Sequence, residues 1–72
     1  MKPLHIAASL RIVAKHKHMP KLTIEQARGA IERLAVAAPR TREDQGMVDD
    51  LERVTGVPIA ELAKLTEKWP KA

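Results

Sequence analysis

Apolar residues along the chain fall into four blocks separated by Pro, Gly and polar runs, and the spacing within each block decides what it can form. In the first, Ile6, Leu10 and Val13 recur at i, i+4 and i+7, with helix-favouring Ala7, Ala8 and Ala14 between them and Pro3 suited to a first helical turn. The same block also alternates, since Leu4, Ile6, Ala8, Leu10 and Ile12 occupy every second position, which is a strand pattern. Helix is the better reading, because Ala is a poor strand residue and no second convincing strand exists to pair with. His16, Lys17, His18, Met19 and Pro20 end the block.

The second block carries the clearest signal. Thr23 followed three residues later by Gln26 makes a capping box, and Ile24, Ala27, Ile31, Leu34 and Ala38 then line one face until Pro39 stops the helix. Glu25 can pair with Arg28 one turn on. After the loop PRTRED, Thr41 is placed to cap a third helix, with Glu43 and Asp44 in its first turn and Met47, Leu51 and Val54 inward. Gly56 ends that helix, and Pro58 starts a fourth with Ile59, Leu62, Ala63 and Thr66 on a face extended by Leu65 and Trp69. The pattern predicts an all-α fold: one small domain of three or four short helices with a helix-turn-helix-like corner near Gly56.

Composition narrows the classes. A chain of 72 residues makes one domain, and at that size only about 60% of the surface exposed by the unfolded chain is buried. With no Cys there is no disulfide framework and no thiolate metal site, which fits a reducing, cytoplasmic setting. The apolar start LHIAASL is cut short by Arg11 and Lys15, far below the ~20 residues a membrane span needs, so no span or signal peptide is expected. Trp69 is the only aromatic residue, so the stacking platforms of single-strand binders are missing.

Charge sharpens the picture. Residues 1–21 carry Lys2, Arg11, Lys15, Lys17 and Lys21 with no acid. Residues 43–67 carry Glu43, Asp44, Asp49, Asp50, Glu52, Glu61 and Glu67 against Arg53 and Lys64. Within a net charge of +4 the chain is therefore a dipole, basic over residues 1–42 and acidic over 43–67. Such a field steers encounters with charged partners.

The stretch VTGVPIAELAKL, residues 54–65, raises the question of DNA. Residues 48–67 resemble a helix-turn-helix: Gly56 sits in the turn, Leu51 and Val57 flank it, and Leu62 and Leu65 can anchor the second helix. Two features depart from that motif. Glu52 stands four residues before the glycine, where the motif wants a small residue. The second helix would have to meet DNA with Ile59, Ala60, Glu61, Ala63, Lys64 and Glu67, which offers one cation and two carboxylates where base reading relies on Arg, Lys, Asn, Gln or Ser. A packing corner is the expected role. If DNA is touched, the phosphate contacts expected are Arg28, Arg40, Arg42 and Lys64, in addition to the front-half cations.

Other chemistry has little support. His16 and His18 are two apart and would point about 200° from one another on a helix, with no carboxylate near in sequence, so no metal is expected. Ser9, the only serine, lies in an Ala-rich run without a nucleophile elbow. Asp49 and Asp50 are adjacent, and Gly29, Gly46 and Gly56 are scattered, so neither a carboxylate pair nor a phosphate loop is formed. No catalytic residue, cofactor or small-molecule substrate is expected.

The first helix carries the informative anomaly. With Ile6, Leu10 and Val13 turned inward, Leu4, Ala8 and Ile12 form a second apolar stripe, bordered by Arg11 and Lys15. An apolar anchor with a basic rim docks a protein partner bearing acidic residues. The partner-binding residues expected are Leu4 and Ile12 as anchors and Arg11, Lys15, Lys17 and Lys21 as the rim. In size and charge the chain resembles the small cationic helical proteins of phages and plasmids that bind host RNA polymerase, a likeness of kind without a shared motif. It implies a non-enzymatic transcription regulator acting on a larger protein machine; the alternative is a helix-turn-helix DNA-binding regulator.

Overall fold

The computed structural model describes the backbone of residues 4–70 and the side chains of residues 5–70. The expected helix start at Pro3 and the expected anchor at the Leu4 side chain lie outside the described residues. Four helices and no strand occur among those residues: α1 (Leu4–Lys17), α2 (Ile24–Val36), α3 (Arg42–Thr55) and α4 (Ile59–Thr66). α1 packs along α3 and α4 along α2, and the two pairs join chiefly where α1 meets α2. Ile12 and Val13 of α1, Ala27, Ile31 and Leu34 of α2, Met47, Val48 and Leu51 of α3, and Ile59 and Leu62 of α4 fill the space between them. No helix among the described residues is long and apolar enough to cross a membrane.

The helix ends follow local chemistry. Thr23 Oγ1 accepts from the Gln26 amide while Gln26 Oε1 accepts from the Thr23 amide, completing the capping box. Thr41 caps α3 by accepting from the Asp44 amide, and Glu43 and Asp44 lie in the first turn, where the helix dipole favours anions. Gly56 ends α3 in the left-handed region, with φ of 70°. His18 closes α1 in the same region, at φ 55°, and the Met19 amide donates back to the Ala14 carbonyl.

Three expectations of burial need correction. Ile12 is 9% exposed and belongs to the core, so it is no surface anchor. An i, i+4 stripe drifts by about 40° per step around a helix. That drift carries Ile12 round to the core while Ala8 stays half-buried, and α1 presents a broad arc to α2 and α3 together. Val54 is 53% exposed, because the chain turns at Gly56 towards α2 and leaves the last turn of α3 uncovered there. Ala38 lies past the end of α2 and is exposed.

Candidate functional site

Two surfaces were candidates from the sequence, and the geometry treats them differently. At the corner, Glu52 fills the place where a helix-turn-helix wants a small residue, and its Oε2 accepts from the Ile59 amide at 2.8 Å. Pro58, the residue before α4, has no side-chain group with which to cap it. The carboxylate therefore reaches from α3 to satisfy an orphan amide at the positive end of α4, tying the two helices across the turn. Ile59, Leu62 and Thr66 face inward, which leaves Ala60, Glu61, Lys64 and Glu67 as the exposed side of α4. That side carries two carboxylates and one cation, a poor match for phosphate.

Two of the arginines expected to contact phosphate, Arg28 and Arg40, are committed inside the fold. Arg28 does not pair with Glu25; its Nε donates to the Thr66 carbonyl at 3.0 Å and its Nη2 to the Trp69 carbonyl at 3.1 Å, holding the end of α4 on α2. Arg40 donates from Nε to the Leu34 carbonyl at 3.2 Å and from Nη1 to Gln45 Oε1 at 3.4 Å. Arg40 satisfies a carbonyl in the last turn of α2, while Arg28 adds a second bond to the Thr66 carbonyl, which already accepts from the Trp69 amide. Arg42 and Lys64 remain exposed, on different helices.

The described cations of α1 and the loop after it stand outside the ion pairs. Arg11, Lys15, Lys17 and Lys21 are all exposed, and the ion pairs among the described residues, His16 with Asp50 and Asp50 with Arg53, involve none of them. Arg11, Lys15 and His18 border a shallow hollow floored by Ala14, Met19 and Pro20. Met19 also lines a second hollow on its other side, a groove of about 390 Å³ between the end of α1 and α2. Val13, Leu22 and Ala30 form its floor and Lys17 and Arg33 its charged edge. Lys17, expected on the basic rim, lies at the edge of this groove, which the sequence pattern did not reveal. Its signals were Gly29 inside a helix and the apolar Met19 and Leu22 in a loop.

The first helix also runs further than expected, through His16 and Lys17, and leaves His18 exposed just past its end. His16 sits in α1, half-buried, and its Nε2 lies 2.8 Å from Asp50 Oδ2, a carboxylate 34 residues away in sequence that folding brings alongside. Asp50 accepts in turn from Arg53 Nη2 at 2.7 Å. The hydrogen bond from His16, then that from Arg53, holds the Asp50 carboxyl below the usual carboxylate range. No group of three or more His, Cys, Asp or Glu converges as metal ligands among the described residues. Ser9 is wholly buried, with no hydrogen-bond partner for its hydroxyl.

Comparison with protein-family models, with curated proteins and with solved structures finds no match to this chain.

Proposed function

We propose that this chain is a small, non-enzymatic regulatory protein that binds a larger protein assembly through the basic face of α1 and the loop after it. The carrying observation is that Arg11, Lys15, Lys17 and Lys21 stand exposed, outside the ion pairs of the described residues, with Arg11 and Lys15 bordering one apolar hollow and Lys17 another. Cations kept free in this way raise the encounter rate with an acidic surface, and apolar contact then sets how long the complex lasts. With Ile12 in the core, the anchoring role passes to Met19 and its apolar neighbours in the hollows.

The transcription apparatus is the first machine to try, on the likeness in size and charge to phage and plasmid proteins that bind RNA polymerase. The test is to titrate the chain against purified bacterial RNA polymerase and, separately, against duplex DNA over a range of salt. Binding to the polymerase, with little duplex affinity near physiological salt, is the expected outcome. Tight duplex binding that falls steeply and linearly with the logarithm of salt, with none to the polymerase, would overturn the reading in favour of a DNA-binding regulator.

A further inference from the structure

Gly29 lies in the interior of α2, where glycine is a much poorer helix former than alanine. Its backbone has no need of a glycine: among the chain's glycines only Gly56 has a left-handed φ. Nor does close packing require one, since a Cβ built on Gly29 would meet nothing within 4 Å. The fold thus carries a weakened helix and gains nothing from it internally. What Gly29 does provide is bare backbone facing the groove of about 390 Å³ that it lines with Val13, Met19, Leu22 and Ala30. Glycine is the residue that lets another group approach a backbone closely.

The electrostatics of the groove select what approaches. No acidic residue lines it, while Lys17 and Arg33 do, and the same two cations with Ala30 line an adjoining hollow of about 160 Å³ that reaches Leu34 and Asp44. Neither cation takes part in the ion pairs of the described residues. An occupant that complements the site therefore presents apolar side chains to the floor and a carboxylate to the Lys17 and Arg33 edge. Nucleic acid fits poorly, because the floor is aliphatic and the only aromatic side chain, Trp69, is buried in the core. The groove is partly open to solvent, which suits side chains carried on a segment of chain.

Building on the reading of this protein as a protein-binding module, we propose that the groove between the end of α1 and α2 receives an acidic, apolar segment of a protein partner, packed against the backbone of Gly29. Lys17 and Arg33 orient the segment through its carboxylate, and Met19 and Leu22 cover its apolar side chains. This makes Gly29 a binding residue, a role its place in an ordinary helix conceals.

The test is selection of a displayed library of random peptides on the full chain, followed by amide-resolved NMR mapping of an enriched peptide. Enriched sequences are expected to join apolar residues with Asp or Glu and to shift the amides of Leu22, Gly29 and Ala30. Gly29→Ala should raise the thermal midpoint yet weaken the peptide several-fold, and Gly29→Gln should weaken it by about tenfold or more with Trp69 fluorescence unchanged. A library that yields no binder, enriched peptides that are basic, or shifts centred elsewhere would overturn the proposal. Should binding depend on Arg11 and Lys15 while Gly29→Gln matches the wild type, the basic-face reading stands and the groove falls. Should the Gly29 series move affinity while charge reversal at Arg11 and Lys15 does not, the groove stands and steering by that face falls. A duplex oligonucleotide that shifts the groove amides when no peptide does would overturn the proposal in favour of nucleic acid.

Discussion

Ser9 is wholly buried on α1, and its hydroxyl finds no partner among the described residues. Leaving a buried hydroxyl unsatisfied costs about 1–3 kcal/mol, and alanine is the better helix former. Ser9→Ala is therefore expected to stabilise the fold by about 1 kcal/mol, which for a domain this size raises the thermal midpoint by roughly 4–8 °C. A calorimetric scan decides it: a lower midpoint would mean that the oxygen is bonded or that its volume is needed. The corner teaches the same lesson at other residues. Gly56 was legible because a glycine before a Val-Pro pair has few other uses, and its φ of 70° agrees. Glu52 was legible only as a mismatch to a motif. Its bond to the Ile59 amide depends on the angle between two helices, which no local pattern encodes.

Among the elements, α2, α3 and α4 could be drawn from periodicity and caps, because Thr23, Thr41 and Gly56 act within a few residues of where they stand. α1 was harder. Its apolar positions support either two stripes or one broad face, and only the neighbours choose: packed against both α2 and α3, it buries Ser9, Ile12 and Val13 and half-buries Ile6 and Leu10. The tie from α1 to α3 through His16, Asp50 and Arg53 was invisible for the same reason, since it joins residues 34 apart. It does make a prediction about acid. Because the folded Asp50 carboxyl is held below its ordinary value, its stabilisation is fully present above that value and fades as pH falls through the lower, folded one. Asp50→Asn should then be less stable than the wild type at neutral pH, with the gap closing on acidification through and below the carboxylate range. Urea midpoints measured for both proteins across that range provide the check, and a gap independent of pH would assign the loss to packing.

For the whole molecule, the charge asymmetry along the chain was open to direct reading, because counting residues needs no geometry. In the fold Arg11, Lys15, Lys17 and Lys21 stand exposed on α1 and the loop that follows, whereas Glu43, Asp44, Asp49, Asp50 and Glu52 lie on α3 and Glu61 on α4; Arg33, Arg42 and Lys64 are exposed on the other three helices. Arg11→Glu combined with Lys15→Glu takes the net charge from +4 to zero, each reversal subtracting two. Exposed cations outside ion pairs contribute little to stability, so the thermal midpoint should hold and Trp69, 7% exposed, should keep its buried emission. Association with an acidic partner should nevertheless slow, most at low salt, where fields extend furthest; the screening length is only about 10 Å at 0.1 M. Dissociation should change little, because the apolar floor of Val13, Leu22 and Ala30 is untouched. Stopped-flow rates for wild type and double variant across a salt series would separate these effects. If the two proteins associate equally fast at the lowest salt, Arg11 and Lys15 serve only to keep that face solvated, and recognition must rest on the groove with Lys17 and Arg33 at its edge.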